Sequence, residues 1–213
     1  MTKDNLLIQP LETLAGSKAY LYGVGRDGVI LDGGLGCEKL LDVAETHGIT
    51  VHALLLTHSH YDHICGLPLF RERMPETPIY LHHSGIFSAK HPVLNLSTFL
   101  GQNEGIPGPY IPYTHGEILR FCSVQLEVIH TPGHSLCSSC FYDGVHLFSG
   151  DTVFVGAVGR TDMFFGDFYQ MMRSIKNRLL PLPDDSIIHP GHEDRGVWGK
   201  EKRWNPFFGR YVT

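Results

Sequence analysis

The run Val51-His52-Ala53-Leu54-Leu55-Leu56-Thr57 passes directly into His58-Ser59-His60-Tyr61-Asp62-His63, and no other stretch constrains the chain as tightly. The apolar part reads as a strand of a sheet covered on both faces. Three histidines and an aspartate therefore arrive together at the carboxyl end of one strand. In extended chain, residues two apart point to the same side, so His58 and His60 can reach one ion while Ser59 points away. Asp62 and His63 follow where the chain turns towards a helix around Gly66 to Met74, and that turn can aim them at a neighbouring ion. Imidazole and carboxylate together suit zinc, with manganese, Fe(II) and cobalt as further candidates.

Length and charge narrow the setting. With 213 residues and no long linker or break in composition, the expectation is one domain over residues 1–213 with a core of ordinary size. A formal net charge of −5 argues against a general nucleic-acid binder, which needs clustered Lys and Arg. No apolar run is long enough to span a bilayer, and Met1 to Pro10 falls short of a secretory signal. The odd set Cys37, Cys65, Cys122, Cys137 and Cys140 has no disulfide-framework spacing. Together these features lead to the expectation of a cytoplasmic protein without membrane or nucleic-acid partners. Cys137-Ser138-Ser139-Cys140 forms a CxxC, but it precedes a strand-like segment instead of opening a helix, and packing thiols are the expectation there.

The remaining pattern alternates short strands with a few helices. Strands are predicted at Ala19 to Val24 and Val29 to Asp32, joined by a hairpin turn at Gly25-Arg26-Asp27-Gly28. The formal GxGxxG over Gly23 to Gly28 leads into a strand and not a helix, so it is no dinucleotide site. A helix over Glu38 to His47 stops at Gly48. After a strand at Ile79-Tyr80-Leu81, residues 91–116 dissolve into Gly and Pro and predict a long loop near the active site, in which Tyr110 and Tyr113 are candidates to line a substrate entrance. Strands follow at Ile118 to Cys122, Val124 to Ile129, Ser139 to Tyr142 and Val145 to Ser149. A helix over Asp167 to Leu180 carries a core stripe of Met171, Met172, Ile175 and Leu179. Two strand-rich halves with interspersed helices suggest two packed mixed sheets with helices outside.

Three further segments place a metal-capable residue in a Gly or Pro turn just beyond an apolar run. They are Val128-Ile129-His130-Thr131-Pro132-Gly133-His134-Ser135, Leu147-Phe148-Ser149-Gly150-Asp151-Thr152 and Ile187-Ile188-His189-Pro190-Gly191-His192-Glu193. With the first histidine cluster, with Gly159-Arg160-Thr161-Asp162, and with the tail Glu201-Lys202-Arg203-Trp204-Asn205-Pro206-Phe207, the sequence resembles the metallo-β-lactamase superfamily. It is most similar to the small glyoxalase II-like, or hydroxyacylglutathione hydrolase-like, members.

That resemblance implies an α/β fold, the four-layer αββα sandwich of two mixed sheets with outer helices. It implies His58, His60 and His134 on a first divalent metal, Asp62, His63 and His192 on a second, and Asp151 bridging them, with zinc first and iron or manganese as alternatives. His130 and His189 fall outside this ligand set, so strand burial or outer hydrogen bonds are expected for them, and His82, His83, His91 and His115 are expected to be ordinary surface or loop residues. Asp62 and Asp151 would be the catalytic carboxylates, and a metal-bridging hydroxide would attack a thioester of the S-acylglutathione type. Arg160, Lys200, Lys202 and Arg203 are candidates to bind a substrate carboxylate. Full-length glyoxalase II enzymes carry a further helical domain, whereas this sequence ends at Thr213. A mononuclear Fe(II) persulfide dioxygenase using His58, His134 and Asp151 is the nearest alternative, with lactonase, phosphodiesterase and a non-enzymatic metal-binding module behind it.

Overall fold

The computed structural model describes residues 5–209 and folds them around two six-stranded mixed sheets. The first contains β1 (Leu6–Glu12), β2 (Lys18–Val24), β3 (Asp27–Leu31), β4 (Thr50–Leu55), β5 (Ile79–His82) and β6 (Ile111–Tyr113), in that order. Its first three strands are antiparallel and its last four parallel, with α1 (Lys39–Thr46), α2 (Tyr61–Ile64), α3 (Leu67–Arg73) and α4 (Ile86–Ala89) in the connections. The second contains β7 (Ile118–Phe121), β8 (Val124–His130), β9 (Ser139–Tyr142), β10 (His146–Gly150), β13 (Ile187–Pro190) and β14 (Gly196–Val197). Between β10 and β13 come the small hairpin of β11 (Val153–Phe154) and β12 (Ala157–Val158), then α5 (Phe168–Ser174); α6 (Trp198–Trp204) ends the order.

The layering follows from strand parity. Along β2, Tyr20 and Tyr22 enter the core between the sheets, while Ala19 and Leu21 pack outward against Leu40, Leu41 and Ala44 of α1 and Leu67 and Phe70 of α3. On the other sheet, Val128, Phe141 and Phe148 face inward, and Ile129, Cys140 and Leu147 face Met171 of α5 and Trp198 of α6. Both faces of both sheets are thus covered, giving the expected αββα sandwich. Phe148 sits at its centre, edge-on to Tyr20 and Tyr22 at 5.5 and 5.4 Å. In β4 the parity breaks: Val51 faces outward and Ala53 inward, because a bulge at His52 inserts one residue opposite Gly28 and Val29.

Several boundaries differ from expectation. The β2–β3 turn lies at Gly25-Arg26, with Val24 paired to Asp27, since Gly25 supplies the positive φ of +64° that a two-residue hairpin needs. Asp27 instead starts β3, where its carboxylate meets His52 Nε2 at 2.8 Å. Asp167 caps α5, accepting a hydrogen bond from Gln170 N at 2.9 Å, and the predicted helix continues as a π-turn at Ile175–Leu179. The end of the 91–116 loop is strand β6, and β1, β13, β14 and α6 carry too little periodicity to announce themselves. Pro10 is tolerated in β1 because that strand is an edge. No helix among the described residues is long and apolar enough to cross a membrane. Residues 1–4 of the N-terminal segment considered as a signal lie outside the described residues.

Candidate metal centre

The polar residues that end the apolar runs converge at the carboxyl ends of strands from both sheets. His58 and His60 follow β4, with Asp62 and His63 in α2; His134, Asp151 and His192 follow β8, β10 and β13. The two sheets are tied together at this end. Ser139 N donates to Thr57 O at 2.9 Å and Lys18 N to Gly191 O at 2.6 Å. The Tyr20 hydroxyl also crosses, reaching Pro190 O at 2.7 Å, while within the first sheet the Tyr113 hydroxyl reaches Leu56 O at 2.6 Å. At Gly191 a Cβ would strike Asp151 Oδ1 and the His63 ring, so only glycine lets this loop close over the cluster.

The spacing of the donor atoms is the spacing a cation imposes. Four ligands about 2.1 Å from a tetrahedral ion lie about 3.4 Å from one another. His58 Nε2 and His134 Nε2 are 3.3 Å apart, and His63 Nε2 and His192 Nε2 3.4 Å. Asp62 Oδ2 is 3.5 Å from His63 Nε2 and 3.3 Å from His192 Nε2. Asp151 offers Oδ1 at 3.4 Å from His63 and Oδ2 at 3.5 Å from both His134 and His192, so it adjoins both groups. His60 stands beside the first group, its ring centroid 4.7 Å from that of His58 and 4.5 Å from that of His134. At this centre the donor sets within 4.8 Å are His58-His60-His134, His58-His63-Asp151 and Asp62-His63-His192. Buried Asp151 Oδ1 has no hydrogen-bond partner, an orphaned acceptor that a cation would satisfy.

A second observation fixes which nitrogens face inward. His134 Nδ1 lies 2.8 Å from Arg160 O and His192 Nδ1 2.9 Å from Gly16 O, and a carbonyl can only accept, so both carry hydrogen on Nδ1. His63 Nδ1 donates to Asp32 Oδ2 at 3.0 Å. Thr57 Oγ1 donates to Asp32 at 2.9 Å and so takes the Nδ1 hydrogen of His58 at 3.0 Å. Four imidazoles are thereby turned with Nε2 towards the centre, as outer-shell partners do around metals. Asp32 is the functional residue that the sequence reading passed over. It is buried, held at φ +61°, and also accepts from Thr57 N at 2.7 Å.

The electrostatics divide the imidazoles into neutral donors and two held cationic by the carboxylates. Burial pushes His58 well below the usual imidazole range, His60 down to about 3, and His134 down as well, which leaves lone pairs free. Burial also disfavours charge on His63 and His192, but the neighbouring carboxylates outweigh it. Asp62, Asp151 and Asp32 hold His63 well above its usual value, and Asp151 and Asp62 bring His192 up to about 10. Burial raises Asp62 and Asp151, and His63 and its neighbours more than reverse this. Positive charge is thus drawn to the space between Asp62 and Asp151.

Above the donors lies a cavity of about 630 Å³ whose floor includes His60, Asp62, His134, Asp151 and His192. Of the anticipated substrate contacts only Arg160 borders it, and its guanidinium is paired with Asp162 at 2.8 and 2.9 Å. The other candidates are elsewhere, each for a visible reason. Tyr113 is wholly buried between the sheets, and Tyr110 packs under Arg71 with its hydroxyl on Ile106 O at 2.9 Å. Lys202 is buried and bonded to Asp184 at 2.7 Å and to Leu182 O, while Arg203 reaches Asp184 at 3.6 Å. Lys200 borders grooves on α6 with Val197. The 91–116 loop does reach the cavity, through Leu96, Phe99 and Leu100 around the 3₁₀ turn Ser97–Leu100.

Several histidines and thiols away from the centre have packing roles. His82, expected at the surface, is buried and stacked on His130 at 3.9 Å, whereas His83, His91 and His115 are exposed. His130 bonds Leu136 O at 2.8 Å, and His189 stacks on Phe148 at 4.9 Å. Cys137 and Cys140 are buried free thiols.

Known proteins share this architecture. The family model of the metallo-beta-lactamase superfamily matches residues 13–192. The hydroxyacylglutathione hydrolase GloC of Haemophilus influenzae is 31% identical over 213 residues, covering 95% of this chain and 97% of that protein. The crystal structure of the BLEG-1 B3 metallo-beta-lactamase superposes with a TM-score of 0.87 at 32% identity, over 97% of this chain and 100% of its own. That of TTHA1623 in a di-iron-bound form gives 0.82 at 34% identity, over 95% and 100%.

Proposed function

The chain belongs to the metallo-beta-lactamase superfamily and is a metal-dependent hydrolase of that fold, and from this premise we propose that it hydrolyses a thioester of the S-acylglutathione type with two divalent cations. The observation that carries the two-cation reading is the second donor set, Asp62-His63-His192, sharing Asp151 with the first. A single Fe(II) needs only two histidines and one carboxylate, and leaves that second set without purpose. The hydroxyacylglutathione hydrolase among its relatives supports thioester chemistry, since its named substrate is one. Cations bound there would lower the pKa of a water towards neutrality and polarise the scissile carbonyl.

The chain's own residues do the rest. His58, His60 and His134 would hold one cation and Asp62, His63 and His192 the other, with Asp151 available to both. Asp62, open to the cavity, accepts the proton that the attacking water gives up. Asp32, Thr57, Arg160 O and Gly16 O hold the imidazoles in place, so no reorganisation is needed as charge develops. A thiolate leaves without a proton donor, because a free thiol has a pKa of only about 8.5. Zinc is the first candidate, and a di-iron-bound structural relative keeps iron beside it. The test is a panel of thioesters, lactones, phosphodiesters and a β-lactam, run on protein whose metals have been quantified. Thioester turnover at two cations per chain supports the reading. One iron with oxygen uptake on glutathione persulfide contradicts it.

A further inference from the structure

The cavity over the donors is walled by apolar side chains, and the way they are held points to the substrate. Leu96, Phe99 and Leu100 approach from one side, Phe154 and Met163 from the other. The Phe99 and Phe164 rings meet across the mouth at 5.9 Å, although the side chains remain 60% and 45% exposed. Leu96 and Phe165 adopt φ of +71° and +64°. Bulky residues in the left-handed region are rare and concentrate where function requires them, and both of these belong to the segments that form this mouth. The cationic side chain of the wall, Arg160, is already answered by Asp162. Among the described residues, none on the wall offers free positive charge to the carboxylates of a glutathione moiety, whereas an apolar surface awaits a partner next to the reacting centre.

We infer that this is an acyl-binding subsite: the substrate is a thioester whose acyl group is an apolar chain or ring, received against Leu96, Leu100, Phe154 and Met163 beneath the Phe99–Phe164 contact, with its carbonyl over the donors. The inference rests on the thioesterase reading and deepens it. Selectivity resides in the acyl half of the substrate, and the thiol half extends past Arg160 to solvent.

The experiment uses the metal-loaded protein with neutral N-acetylcysteamine thioesters, acetyl through octanoyl, and the lactoyl thioester of the same thiol. The expected result is a kcat/KM that climbs about three- to fourfold per added methylene until the cavity is full. In Phe99→Ser/Phe164→Ser, which alters exposed positions, the loss should be at least tenfold larger for octanoyl than for acetyl and reside in KM. A flat series, or lactoyl as the best substrate, overturns the inference and leaves the hydrolase reading intact. No turnover of any thioester overturns both. If the double variant keeps the chain-length slope while dissociating a wild-type dimer, the patch is a self-association surface and the inference fails.

Discussion

Asp32 has no donor atom in the metal groups, yet it decides the posture of two residues that do: it bonds His63 directly and His58 through Thr57. Asp32→Asn replaces one acceptor oxygen by a donor, and we expect a loss of about 10- to 100-fold in metal affinity or activity. Metal titration followed by calorimetry reads it; unchanged binding would show that packing alone orients the rings. Asp151→Ala should remove turnover and also weaken metal retention, because it adjoins both groups, and an active variant would contradict the shared-ligand reading. The candidate ligands were legible because His58 to His63 crowd directly after one apolar run, while His134, Asp151 and His192 each close another in a Gly or Pro turn, and the family resemblance assigned their roles. Val29-Ile30-Leu31-Asp32-Gly33-Gly34 has the same form and marks Asp32 too. Its form alone leaves open whether the carboxylate meets an ion or an imidazole, which depends on strands far apart in sequence.

At the scale of elements, the segments that shape the cavity were the least legible. The basic tail was expected to meet substrate, but α6 instead braces the β11–β12 hairpin. Buried Glu201 accepts from Gly156 N at 2.7 Å, and Asn205 Nδ2 donates to Ala157 O at 3.1 Å. Phe154 and Ala157 of that hairpin border the cavity, so the brace acts on the site at a distance. Asn205→Ala leaves two carbonyls short of a donor and should cost about 1 kcal/mol of stability, with KM rising more than kcat falls. Steady-state kinetics with denaturant unfolding checks this, and an unchanged KM would sever the helix from the site. The tail was readable as a motif, but a motif does not say which element its side chains touch. Likewise Tyr113 read as a loop aromatic because three residues of β6 carry no period of their own.

Across the whole molecule, two strand-rich halves suggested two packed sheets with helices outside, the family resemblance implied the αββα sandwich, and the fold has both. Its stability should follow the groups it hides. Burial holds His82 down to about 3, aided by His130, His83, Arg178 and His115. The unfolded chain binds a proton at this residue below about pH 6.5 while the folded chain refuses it, so stability falls as pH drops and is untouched above. Between pH 6.5 and 5, His82→Gln should therefore gain on the wild type by up to about 2 kcal/mol, measured by urea unfolding. A constant difference would mean that His82 takes up its proton as readily in the fold as in the unfolded chain. Phe148→Ala, by emptying the space between the sheets, should cost about 3–5 kcal/mol.

The hydrolytic centre proposed for this chain draws on both sheets and on two cations. Stepwise metal addition to the stripped protein, with thioester turnover followed at each step, tests it most directly. Activity is expected to rise with filling to two equivalents per chain, and Asp151→Ala is expected never to reach it. Full activity at one equivalent, or turnover that survives complete removal of metal, would contradict it.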